Sequence, residues 1–98
     1  MEEKKATQPS ARFELGCVEL SSGVEATLTS DEIACALAQH GQGDWGFLCD
    51  KHWEENDDAL RLGERMFSVY KTADGGTRFY VITEAGWSST WVLLPEEY

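Results

Sequence analysis

The chain has 98 residues, with 18 acidic against eight basic side chains and a formal charge of −10 at neutral pH. That balance argues against direct binding to nucleic acid, where affinity comes from neutralising phosphates, and 98 residues suit one domain with one core. A composition 42% hydrophobic and 27% charged, with four Trp, four Phe and three Tyr, argues against a globally disordered chain.

The negative charge is unevenly placed. Glu25 to Arg61 holds nine acidic and two basic residues, a net of −7, against −1 over Met1–Leu20 and −2 over Glu64–Tyr98. Such a distribution bears on partner choice more than on fold. Basic proteins are the natural complement.

Residues 1–10 (MEEKKATQPS) are polar and read as a disordered leader, with 11–98 as a single α+β domain. The leader lacks the apolar stretch of a secretory signal. No apolar run approaches the roughly 18 residues needed to span a bilayer. Three widely spaced cysteines, Cys17, Cys35 and Cys49, do not form a secreted disulfide framework. A cytoplasmic protein with no membrane contact is expected.

Arg12–Leu20 reads as a first strand and Ser21–Gly23 as a turn. Thr29–His40 is the clearest helix. Thr29 and Glu32 have capping-box spacing, Ile33, Ala34, Leu37 and Ala38 form a stripe, and Gly41 is placed to stop it. Cys35 is expected on the apolar side, as a buried thiol. A glycine-rich connection, Gly41–Gly46, follows. In it Asp44 is expected to cap the next helical turn, Trp45 to anchor the loop in the core, and His40 to bond to the turn. A second helical segment lies within Phe47–Leu62, with a break near Asn56–Asp57 open, and Gly63 ends it.

The last third reads as a β-meander: Arg65–Thr72, a hairpin loop at Ala73–Gly76, Thr77–Glu84, a turn at Ala85–Ser88, and Ser89–Leu94. One face is assigned Phe67, Val69, Phe79, Val81, Trp91 and Leu93. The other is assigned Tyr70, Tyr80, Ile82, Val92 and Leu94. The expected fold is α+β, an antiparallel three- or four-stranded sheet with two or three helices packed on one face.

Chemistry is sparse. Cys35, His40, Cys49 and His52 have the right donor types for zinc, but there is no Cys-x2-Cys knuckle. Cys49 and His52 could be written as a nucleophile and base, yet an acidic neighbourhood raises a thiol's pKa instead of lowering it. Glu54, Asp57 and Asp58 share a helix side, but Arg61 stands at ion-pair spacing from two of them. No phosphate-cradling loop, nucleophile elbow or basic nucleic-acid stripe occurs. No cofactor or metal is assigned.

Two stretches carry a resemblance. They are His40–Gly46 with Asn56, Asp57, Ala59, Leu60 and Gly63, and then Arg65, Ser68, Tyr70, Ile82-Thr83-Glu84 and Leu93–Tyr98 (LLPEEY). Together they resemble a family of short, uncharacterised proteins encoded on bacterial plasmids and other mobile elements. The chain departs from that pattern at Gly86-Trp87 and at Trp91, where the family tends to carry charged residues and a threonine. The resemblance implies an accessory role on a mobile element and brings no enzymatic activity with it.

The reading that follows is a non-catalytic acidic protein-binding module. It would be an accessory or inhibitor protein engaging a basic, nucleic-acid-handling host protein such as a defence complex, with no direct contact to nucleic acid. Glu54, Glu55, Asp57 and Asp58 would steer the partner, with Trp87 and Trp91 as apolar anchors. The alternatives are a small metal protein or enzyme using Cys49, His52 and His40, and a regulatory homodimer joined through the aromatic last strand. The expected state is a monomer or weak homodimer.

Overall fold

The computed structural model describes residues 12–98; the leader assigned to residues 1–10 lies outside the described residues. In chain order the elements are β1 (Cys17–Leu20), α1 (Ser22–Thr27), α2 (Ser30–Gly41), α3 (Asp50–Leu62), β2 (Met66–Lys71), β3 (Arg78–Thr83) and β4 (Ser89–Leu93). The sheet order is β1-β4-β3-β2. The meander β2-β3-β4 is antiparallel, as expected. The sheet as a whole is mixed, because β1 runs parallel to β4. A hairpin can return only an antiparallel neighbour, whereas the long helical connection after β1 frees it to reach the far edge.

Local chemistry sets the helix ends. Ser21 accepts from the Val24 amide and caps α1, a helix where the sequence reads only as a turn. The capping box at Thr29 and Glu32 is present and starts α2. Glu32 also accepts from the Ala73 amide (2.8 Å), which ties this helix start to the β2–β3 loop. These amides, Ala73 first, hold the Glu32 carboxyl below its ordinary pKa. Gly41 is the last helical residue of α2 and not a left-handed stop; Gln42 is the C-cap and Gly43 takes the left-handed turn. Asp44 bonds locally to the Gly46 amide instead of capping a helix; Cys49 occupies the N-cap position of α3. α3 is unbroken to Gly63, which ends it in the left-handed conformation. The first strand is shorter than expected. Phe13 and Leu15 pack into the core before it begins.

The buried stripe of α2 differs from the expected one. Ala36 and His40 are buried, flanked by Ile33 and Leu37, while Ala34 and Cys35 are exposed. The set 33, 36, 37, 40 is the true helical repeat. The expected buried thiol at Cys35 is therefore corrected, and Cys17 and Cys49 are exposed as well.

The two faces of the meander also need correction. Phe67 pairs with Ile82, and Val69 with Tyr80, so these four share a face with Trp91 and Leu93. Met66, Ser68, Tyr70, Phe79, Val81, Thr83, Thr90 and Val92 make up the other face, and all are buried. Val24 from α1, Leu28 at its C-cap, Ala36 from α2 and Ala59 from α3 join clusters drawn from that second face.

The outer edge of β2 is closed. The Asn56 side-chain amide donates to the Phe67 carbonyl (2.6 Å) and accepts from the Phe67 amide (3.1 Å). Two residues on, the Val69 amide donates to the Trp45 carbonyl (3.2 Å) and the Val69 carbonyl accepts from Phe47 (2.8 Å). Gly46 makes this approach workable: its φ is +77°, and a Cβ there would run into the Val69 carbonyl oxygen. Asn56→Ala strips both backbone groups of Phe67 of their partners. The expected cost is about 2–4 kcal/mol in urea unfolding, with faster hydrogen exchange at the Phe67 amide as the local signature.

Candidate interaction surfaces

The polar residues best placed for chemistry form a buried chain. His40 Nδ1 lies 2.6 Å from Ser68 Oγ and Nε2 lies 2.9 Å from Thr83 Oγ1. Thr83 Oγ1 lies 2.7 Å from Thr90 Oγ1, and Thr90 donates to the Leu15 carbonyl at 2.6 Å. Proton bookkeeping fixes every direction. The single Thr90 proton goes to Leu15, so Thr83 donates to Thr90. Thr83 must then accept from Nε2–H, which leaves Nδ1 as the acceptor for the Ser68 hydroxyl. Every hydroxyl proton and both ring nitrogens are used by a neutral Nε2–H imidazole. Burial pushes the His40 pKa down to about 3. The glycine-rich turn is bonded to His40 through the backbone, the His40 carbonyl accepting from the Gly43 amide (3.1 Å), while the ring meets Trp45 and Phe13 edge-on, each at 5.4 Å between centroids. With no exposure of His40, Ser68, Thr83 or Thr90, this chain ties α2 to the sheet.

The other donors considered for metal or nucleophilic chemistry lie elsewhere. Cys35, Cys49 and His52 are exposed, while His40 is enclosed. Among the described residues no group of three or more His, Cys, Asp or Glu is arranged to hold a metal ion.

The six residues assigned to partner binding divide among several places. Glu54, Glu55 and Asp58 are exposed on α3, and Asp58 pairs with Arg61. Asp57 is half-buried and accepts from the Trp45 indole N–H at 3.0 Å, so its charge is committed inward. Glu55 lines a groove of about 390 Å³ with Leu48, His52, Glu64 and Phe67. Trp87 is half-buried against Phe13 (5.5 Å between centroids) and belongs to the core cluster around Trp45. Its indole N–H is the buried side-chain polar atom without a partner among the described residues. Trp91 is 39% exposed and lies on the opposite face of the sheet from that cluster. The two tryptophans do not share a surface.

That opposite face holds residues the sequence pattern does not single out. Phe67, Tyr80 and Tyr98 meet at 4.7–5.8 Å between centroids. Arg65 lies over the Tyr98 ring (5.5 Å) and bridges to Glu84 (3.4 Å). Ile82 beneath them is 2% exposed, so these long side chains already shield the middle of the face. Cys17 and Glu19 extend the same face at β1, where the thiol donates to the Glu19 carboxylate (3.3 Å) and is thereby held above its ordinary pKa. A signal for this face was present. Counting outward from the Ala73–Gly76 loop pairs Thr72 with Thr77 and so Phe67 with Ile82.

Among the described residues, no helix is long and apolar enough to cross a membrane. Compared with protein-family models, curated proteins and solved structures, the chain matches none.

Proposed function

We propose that the chain is a non-catalytic protein-binding module for a basic partner. The observation that carries this reading is the exposed side of α3, where Glu54, Glu55 and Asp58 project from one short helix within the stretch that holds −7 of the net charge. Asn56 on the Phe67 backbone and Ala59 in the cluster with Met66 fix α3 against β2 and give that acidic side a base. The groove beside Glu55 offers apolar walls, Leu48 and Phe67, next to a carboxylate, and that combination suits the stem and charge of a lysine or arginine. The mobile-element resemblance and the anionic charge together favour a nucleic-acid-handling host protein as the partner class, with the chain as accessory or inhibitor. Among the residues the sequence assigns to binding, Asp57 and Trp87 serve the interior and are set aside.

Capture from a native-host lysate tests this when it is run at two salt concentrations and with two baits. The native chain is expected to retain a basic protein whose binding falls about tenfold or more between low and roughly 0.5 M salt, because exposed charge is screened. A Glu54→Lys/Glu55→Lys/Asp58→Lys bait with an unchanged circular dichroism spectrum is expected to lose it. Retention that ignores both salt and charge reversal overturns the proposal.

A further inference from the structure

We infer that the helix-free face of the sheet is a self-association surface that receives a second copy of this chain across a two-fold axis. The register lays out that face in rows. Cys17, Ser89, Glu84 and Arg65 form one end. Glu19, Trp91, Ile82 and Phe67 form the next row, followed by Leu93, Tyr80 and Val69, and Lys71 and Arg78 form the far end. The middle is therefore apolar and aromatic. Trp91 is 39% and Tyr98 64% exposed there, whereas scattered surface apolar residues of a monomer seldom gather in this way.

The charges decide the occupant. The anionic side chain Glu19 and the cation Arg78 stand towards diagonally opposite corners, separated by the aromatic rows, while the Lys71 ammonium lies over the Phe47 ring (4.6 Å). Arg65 and Glu84 neutralise each other within the chain. A two-fold axis lying between two such faces and passing near Leu93 sets Glu19 of each copy against Arg78 of the other. It also lays Trp91 of each copy over the half-buried Tyr80 of the other. One patch thus complements itself, as an isologous contact requires. A strongly basic or acidic partner would match one corner and be opposed by the other. Phe67 borders both this face and the groove beside Glu55, but Glu19, Trp91 and Arg78 do not line that groove, so variants at those three positions test this inference apart from the binding function proposed above.

Sedimentation equilibrium of the purified full chain, over roughly 1–100 μM, tests it. The native chain is expected at twice its 11.0 kDa mass at the upper end. Trp91→Glu, with the native circular dichroism spectrum, is expected to sediment as a monomer. Arg78→Glu alone and Glu19→Lys alone are each expected to weaken association at least tenfold. An equimolar mixture of those two variants is expected to recover it, since both cross-axis contacts then pair opposite charges. A strictly monomeric native chain overturns the inference, as does a dimer indifferent to Trp91→Glu. Open-ended growth, or a mixture no tighter than its parts, overturns the two-fold arrangement.

Discussion

Between pH 6.5 and pH 4.5 the fold is expected to lose about 2–3 kcal/mol of stability through one side chain, His40. In the unfolded chain an imidazole takes up a proton near pH 6.5. In the folded chain burial holds that event down to about pH 3. The unfolded state therefore binds more protons throughout the interval, and stability falls as pH falls, by about 1.4 kcal/mol per unit once well below pH 6.5. The contribution is complete above that pH and is lost on the acid side.

The carboxylates with lowered pKa values enter only at the acid end of this window. Glu32, Asp74 and Glu97 all titrate below their ordinary range, held there by hydrogen bonds from Ala73, Thr72 and Ser21 respectively. Their stabilising effect is full well above the unfolded carboxylate pKa, begins to fall near it and is gone below the lower folded values. Urea unfolding at pH 7, 6, 5 and 4.5 measures the slope. His40→Gln preserves a donor and an acceptor but does not titrate, so its stability should be flat across the same interval. A native slope unchanged in His40→Gln would place the proton uptake elsewhere.

Trp45→Ala is expected to cost about 3–5 kcal/mol, a large share of what a domain of this size has available. The indole is fully buried, stacks on Phe13 at 6.3 Å, and donates to Asp57. Its own carbonyl receives the Val69 amide at the β2 edge. Removing the ring opens a cavity under His40 and Phe13 and loosens that edge. Trp45→Phe separates the contributions. It refills most of the volume but leaves Asp57 without its donor, for an expected cost nearer 1–2 kcal/mol. Denaturant unfolding with near-ultraviolet circular dichroism distinguishes the two. If Trp45→Ala and Trp45→Phe lose the same amount, the indole stabilises the fold mainly through its hydrogen bond to Asp57 and not through the space it fills.

What was legible in the sequence were the features with a local cause. The Thr29–Glu32 capping box, the Gly63 helix stop and the Ala73–Gly76 loop each act within a few residues, and each appears where expected. Helix α1 was missed because Ser21-Ser22-Gly23 has the composition of a turn, and only six residues follow the cap. Parallel pairing of β1 leaves no nearby mark at all. The error at Cys35 came from drawing the stripe through Ile33, Ala34, Leu37 and Ala38 and leaving out His40. Restoring it to the buried set turns the helix so that Ala36 points inward and Cys35 out. Ser68, Thr83 and Thr90 look like ordinary strand residues, and only the fold brings them to one imidazole. The division between Trp87 and Trp91 has the same origin, since a half-buried turn residue and a strand residue four positions apart owe their surroundings to different neighbours.

The pairing of β1 with β4 has a consequence for how the molecule is made. Among the described residues, β1 has its one sheet neighbour at Ser89–Leu93, which is synthesised after both long helices and the first meander hairpin. Until these residues emerge, Leu20 lacks the Val92 strand beside which it packs, and α1 lacks the Glu97 side chain that grips Ser21 and Gly23. The helices and the meander can assemble from neighbours in sequence, but the far border of the sheet waits for a long loop to close. A nascent chain stalled before Ser89 should thus expose its opening segment to proteases and chaperones, and release should bury it in a single late step.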